Sequence, residues 1–492
     1  MAPPRTVSVA GFRAAAGALL DHDARLALVA AHHDPDGIRV VHTYLSAGAP
    51  PTEIQTTVPH EADGLPTIAD LSYPAGRFER EIRDLYGLTP IAHPLPRRLV
   101  RHEHWPVGYY PMRADATADP QFADDSGSFA FMEVTGDGVY EIPVGPVHAG
   151  LIEPGHFRFS VVGETILRMK ARLWFVHRGV ERLFQGCAPA AGVDLAERIS
   201  GDTAVGHSLA YVLAVEQALG IACSPRDTLL RSLLLELERV HNHVADIGAI
   251  INDVGYGVLH AQSQVQRERL LRHHRELTGH RLLRGAITPG RTTLRRLPDG
   301  GLLADVAAQA AQIVDIAVGN HIAADRLTGT SVLPTSEARR LGVLGYVAKA
   351  SGISVDARRD HPLIGDDDAV RPFEPVVLTN GDVMARLQVR LLETHQSVEL
   401  IANLAAAAQH ARQQTGAVEP DPAGRGLGIV EAWRGTLVHR VEVQDGRVSR
   451  CKVVDPSFFN WPALPVALRD TIVPDFPLTN KSFNQSYAGN DL

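Results

Sequence analysis

The sequence predicts an α+β N-terminal module followed by a mainly α-helical domain with a small β portion. Three observations carry this reading. Short β-rich runs and one Ala-rich stretch share residues 6–104, helical spacing of apolar residues dominates from Phe159 onward, and two alternating runs flank Asp445-Gly446. At 492 residues the chain exceeds what one hydrophobic core usually serves. We therefore expect two domains, 1–110 and 140–492, joined by a linker over 111–139.

Within the module, Val7–Val9 and Ile38–Tyr44 read as strands and Gly11–His32 as a helix. Between about Tyr109 and Val139 the composition turns to Ala, Asp, Gly, Ser and Pro, the mark of a connecting segment. Ile166, Met169, Leu173, Val176, Val180 and Leu183 then recur at spacings of three and four and predict one amphipathic helix. Leu229–Ile251, Val258–Leu277 (basic on its outer face), Leu302–Val318 and Val383–Ala411 read as further helices. Thr436–Val443 and Val448–Val454 alternate on either side of Asp445-Gly446, which predicts a β-hairpin. The longest candidate for a membrane span, Ser208–Cys223, is too short and carries Glu216 and Gln217. The chain is expected not to span a membrane, and its first residues do not read as a signal peptide.

Composition narrows the function classes. Hydrophobic residues make up 45% and charged residues 21%, the balance of a globular protein. The net charge of −8, from 48 basic and 56 acidic residues, argues against a nucleic-acid groove. Cys187, Cys223 and Cys451 are far apart and odd in number, so no disulfide framework is expected and a reducing cytosol is the natural compartment.

Motifs point further. Glu197-Arg198-Ile199-Ser200-Gly201-Asp202-Thr203-Ala204-Val205-Gly206-His207-Ser208 resembles the first metal-binding motif of nickel–iron hydrogenase large subunits, Arg-x-Cys-Gly-x-Cys-x-x-x-His. Asp455-Pro456-Ser457-Phe458-Phe459-Asn460 sits where that family carries Asp-Pro-Cys-x-x-Cys. Gly145-Pro146-Val147-His148, Glu153-Pro154-Gly155-His156, His177-Arg178-Gly179-Val180-Glu181, Glu236-Leu237-Glu238-Arg239, Asn242-His243 and Gly381-Asp382-Val383 follow in family order. The set is similar to formate hydrogenlyase-type (group 4, membrane-bound) large subunits and, less strictly, to the 49-kilodalton subunit of complex I. Phe78-Glu79-Arg80-Glu81-Ile82-Arg83-Asp84-Leu85-Tyr86-Gly87 resembles the 30-kilodalton complex I subunit, fused here at the N-terminus.

The four family cysteines fall at Ser200, Thr203, Ser457 and Asn460, so the resemblance implies a hydrogenase scaffold without thiolates for nickel and iron. It further implies no nickel–iron centre, a [4Fe-4S] cluster in a small iron–sulfur partner subunit, and a quinone-type or small polar ligand in the emptied pocket. Membrane antiporter-like and other complex subunits would be partners, holding the chain on the cytoplasmic face of the membrane. The alternative is a cleft filled by side chains in a purely structural subunit. A formate hydrogenlyase subunit that holds nickel is the remaining reading.

Candidate residues follow. His148, at a position shared with the complex I pattern, would hydrogen-bond and protonate a quinone carbonyl, or else satisfy backbone in a tight turn. The quinone-site tyrosine of complex I has no counterpart here, since its position falls near Gly201, which weakens a simple quinone-reductase reading. Asp202 would titrate or bind water, or, the reading we favour, cap the helix that begins near Val205. Arg178 and Glu181 stand one helical turn apart and would pair at a partner interface. His241 and His243 sit at i, i+2, on different faces of a helix, which disfavours a metal site. The position of the family's maturation cleavage is Ala463. No Gly-x-Gly-x-x-Gly loop follows a strand, so NAD binding rests on family resemblance only.

Overall fold

The computed structural model describes residues 3–117, 119–123, 129–149, 152–364, 373–413 and 421–492. The N-terminal module is a four-stranded sheet with two helices. Strands β1 (Arg5–Thr6), β2 (Arg25–Asp34), β3 (Gly37–Leu45) and β4 (Thr52–Val58) lie in the order β1-β4-β3-β2, antiparallel except for the β1–β4 pair. Helix α1 (Val9–Asp21) is capped by the Ser8 hydroxyl, which accepts from the Gly11 N–H. Helix α2 (Tyr73–Tyr86) carries the Phe78–Gly87 motif.

Two expectations in the module fail. Val9 opens α1 rather than closing a strand, and the predicted helix over Gly11–His32 stops at Asp21. Arg25–Asp34 is a strand whose middle residues, Leu26 to His32, are all buried. Burial on both faces erases the alternation that would have betrayed it.

The larger part begins with an antiparallel sheet of β5 (Val139–Val144), β6 (His156–Val162) and β7 (Thr165–Arg172). Here the predicted Ile166–Leu183 helix is absent; only Val180–Phe184 is helical. The cause is a bulge. Ser160 faces Arg168 and Val161 faces Ile166, so Leu167 is an extra residue and the buried Ile166 and Met169 end up three apart. A bulged strand has imitated helical spacing.

The long helices match the sequence reading closely: α3 (Ala204–Leu219), α4 (Pro225–Asp253), α5 (Gly257–Thr278), α6 (Gly300–Gly319) and α7 (Val383–His410). Ser224 caps α4, with Pro225 in its first turn, and Asp382 caps α7. The Ser208–Cys223 run lies largely in α3, whose residues are almost all buried. Among the described residues, α6 is long and apolar enough to cross a membrane by length and composition. It turns Leu303, Val306, Ala310, Ile313 and Ala317 onto the core.

A three-stranded sheet, β8 (Gly424–Ala432), β9 (Gly435–Gln444) and β10 (Arg447–Val454), carries α3 on one face. Close approach is set by Gly424, Gly426 and Gly428, where a Cβ would lie 1.8–1.9 Å from the carbonyl oxygens of Ala218, Ala214 and Ala210. The hairpin turn falls at Asp445-Gly446 as predicted, both with positive φ (51° and 71°). The module docks on this sheet. Lys452 Nζ meets Glu81 at 2.5 Å, Arg440 meets Glu53 at 2.9 Å, and Arg450 donates to the Ala31 carbonyl at 3.1 Å.

Candidate functional site

The two family motifs meet beside a cleft of about 730 Å³, which the first of them lines through Ser200, Gly201 and Asp202. The first arrives on the turn before α3, the second on the segment after β10. Asp202 is the hub. Its Oδ1 accepts from Ser200 Oγ (2.9 Å), Thr203 Oγ1 (3.0 Å) and Arg434 Nη1 (2.7 Å), while Oδ2 accepts from Arg434 Nη2 (2.6 Å). Desolvation alone would raise this carboxyl, but the Arg434 charge and the hydrogen bonds hold it well below the usual carboxylate range. The Asp202 side chain keeps 38% exposure while that of Arg434 has 3%, so the carboxylate is the face the cleft sees.

Ser457 joins through the tail. Ser486 Oγ meets Ser200 Oγ at 2.8 Å, and the Ser486 N–H donates to Ser457 Oγ at 3.0 Å. Asn460 stands apart, exchanging both amide hydrogen bonds with the backbone of Leu344 (2.8 and 3.2 Å). Behind the floor, His207 bridges Asp455 and His439, at 3.1 Å each. Of the four cysteine-equivalent positions, only Ser200 lines the cleft; Thr203, Ser457 and Asn460 are buried behind it.

Two expectations need correction. Asp202 is not the cap of α3; Glu238 of α4 does that work, accepting from the N–H groups of Val205 (2.7 Å) and Gly206 (3.0 Å). Arg178 and Glu181 do not pair. Arg178 donates to the carbonyls of Arg198 and Ile199, just before the first motif, because the turn at Gly179 carries it away from the short helix. Glu181 is buried against Arg450 (2.7 Å) and Lys452 (3.0 Å) of β10. His148 lines the cleft, yet its Nε2 is spent on the Gly155 carbonyl at 2.8 Å. His243 and His241 do diverge, toward Glu393 and His274 respectively.

Arg434 was not foreseen. It occupies the tight turn between β8 and β9, stacks on Trp433 with its guanidinium carbon 4.0 Å from the ring, and donates to the Asn484 carbonyl. An arginine at the centre of the turn, between Trp433 and Gly435, was the available signal.

Comparison with known proteins bears on this geometry. Residues 5–121 match the family model of the respiratory-chain NADH dehydrogenase 30 Kd subunit, 178–247 that of nickel-dependent hydrogenase, and 253–419 that of the 49 Kd subunit. Formate hydrogenlyase subunit 5 of Escherichia coli is 32% identical over 424 residues, covering 84% of this chain and 74% of that protein. The chain belongs to the formate hydrogenlyase-type hydrogenase and complex I large-subunit family. Hydrogenase-4 component G of the same organism is 33% identical, covering 84% and 73%. Membrane-bound hydrogenase subunit alpha of Pyrococcus furiosus is 30% identical, covering 71% and 87%. A chain from the membrane-bound sulfane sulfur reductase, an archaeal respiratory membrane complex, shares the family fold, with a TM-score of 0.64 and 23% identity over 72% of this chain and 99% of that one. The family relation explains why the two motifs converge here.

Proposed function

We propose that this chain is the large subunit of a membrane-associated, hydrogenase-related redox complex, working through a cleft without nickel. The observation that carries the reading is the Asp202 hub: a carboxylate and a guanidinium tie together Ser200 and Thr203, two of the four positions where the family holds metal. The residues do not fit a nickel–iron centre. Three hydroxyls and one amide are hard, neutral donors, and Asn460 is fully engaged with backbone. The polar floor with Asp202 suits a small polar or quinone-type ligand, with His148 at its edge. In this reading Arg178 shapes the first motif, Glu181 anchors β10, and electrons reach the cleft from a [4Fe-4S] cluster in a small iron–sulfur partner. The division into 1–110, 111–139 and 140–492 is part of the same proposal, and attachment to the membrane is through partner subunits.

Elemental analysis of the purified chain with its partners tests it. Iron without nickel is the expected result, and stoichiometric nickel or hydrogen turnover at enzyme-like rates would overturn it. A second reading, a structural subunit, is favoured by the internal engagement of His148, Arg178 and Glu181. Under it, substitution of Asp202 or His148 leaves the turnover of an intact complex unchanged.

A further inference from the structure

Three unspent hydrogen-bond acceptors stand in the lining of the cleft. The first is on Asp202. Its Oδ1 is saturated by Ser200, Thr203 and Arg434, but among the described residues its Oδ2 accepts only from Arg434 Nη2. A carboxylate oxygen takes two hydrogen bonds, so one position on Oδ2 is open. The side chain keeps 38% exposure on the cleft side.

Gln485 adds the second acceptor, from the C-terminal segment that lines the same cleft. Its Nε2 donates to the Phe483 carbonyl and lies 3.5 Å from Tyr346 Oη, which fixes the amide with Oε1 turned the other way. That oxygen is buried, in a residue 4% exposed, and has no partner among the described residues. A buried carbonyl oxygen left without a donor is costly, and a ligand's O–H or N–H would supply one.

His148 carries the third. The Gly155 carbonyl can only accept, so the ring proton sits on Nε2. In the neutral imidazole Nδ1 is then an acceptor, and it is the ring nitrogen left for a ligand. The donor that a quinone carbonyl would need from this histidine is committed to backbone.

Donors around Asp202 are likewise committed. Arg434 spends its guanidinium on Asp202 and the Asn484 carbonyl, and the Asn484 amide donates to Asp246 Oδ1 at 2.6 Å. Lys481 is close enough to Asp253 to offset the burial that raises that carboxyl. Beyond these two pairs, Glu153 leaves one formal negative charge along the wall.

We propose that the cleft takes a neutral ligand carrying two or more O–H or N–H donors, held by Asp202 Oδ2, Gln485 Oε1 and His148 Nδ1. It discriminates against anions and against ligands that only accept. Of a quinone-type pair it therefore prefers the hydroxylated, reduced form. The Tyr487 hydroxyl, buried in the same lining beside Asn480, can donate as well as accept and so admits a ligand hydroxyl in either sense. This ligand class rests on the reading of the cleft as a nickel-free binding site.

The chain has four tryptophans, which makes 15N-indole NMR of the full chain a direct readout. Trp433 donates its indole N–H to the Asp202 carbonyl (3.1 Å) and Trp461 to the Ser486 carbonyl (3.1 Å), while Trp105 and Trp174 lie outside the cleft lining. Three probes of similar size separate the cases: resorcinol, which donates twice; 1,3-dimethoxybenzene, which only accepts; and benzoate, an anion. We expect resorcinol to shift Trp433 and Trp461 saturably, about tenfold more tightly than either other probe. Gln485→Met keeps the side-chain length but removes the carbonyl oxygen, and it should erase most of that preference. Unmoved Trp105 and Trp174 signals would show its fold intact. Equal or tighter binding of the ether or of benzoate to the wild type would overturn the donor-ligand assignment and leave the cleft a binding site. No saturable shift from any of the three would overturn both.

Discussion

Asp202 shows how one residue ties distant segments of the chain together. Asparagine at this position would leave the Arg434 guanidinium buried opposite a neutral amide. Breaking a fully buried pair costs roughly 3–5 kcal/mol, and the 38% exposure of Asp202 brings the expected loss for Asp202→Asn down to about 1–3 kcal/mol. The sign with pH is fixed by the lowered carboxyl: its stabilisation is complete above the ordinary carboxylate range and disappears as pH falls through the lower native value. Denaturant melts at pH 7 should therefore separate the two proteins, and melts in strong acid should bring them together. The first motif was legible in the sequence because its spacing is local, and it lies within the stretch that matches the hydrogenase family model. The hub was not, because Arg434 lies 232 residues from Asp202 and only the fold brings them together. The cap was misassigned for the same reason: Glu238 reaches the α3 amides from another helix.

Among the elements, those built on local chemistry were readable. Asp445-Gly446 announces its hairpin because both residues tolerate positive φ, and the long helices announce themselves by period. Strand β2 and the β6–β7 pair were not readable, since two-sided burial in one case and the Leu167 bulge in the other replace period two with something else. The contact of α3 with β8 gives the clearest prediction here. Gly426→Ala would place a methyl 1.9 Å from the Ala214 carbonyl oxygen, forcing helix and strand apart. We expect a loss of at least ~3 kcal/mol in thermal or denaturant unfolding. Gly300→Ala, whose Cβ would meet nothing within 4 Å, should stay within about 0.5 kcal/mol of wild type. Comparable losses in the two variants would refute the close-packing account.

Across the whole molecule, the module and the helical part share an interior. Phe78 stacks on Phe458 of the second motif at 4.5 Å, and Arg77 donates to the Phe458 carbonyl and to Asn490 Oδ1. The module motif was visible in the sequence, but its inward partners were not, since Glu81 and Lys452 are 371 residues apart. Lys452→Met should leave Glu81 buried without its cation and cost about 3 kcal/mol. Denaturant unfolding followed by two probes, one in each part, should then show the module melting first, where the wild type melts in one transition. Coincident transitions in the variant would mean the interface holds without this lysine. The dock on Phe458 also bears on assembly. One polypeptide delivers the module and the cleft floor in equal number, already joined. A larger complex built around this subunit therefore needs no separate step to recruit the module, and no copy of the floor is made without its buttress.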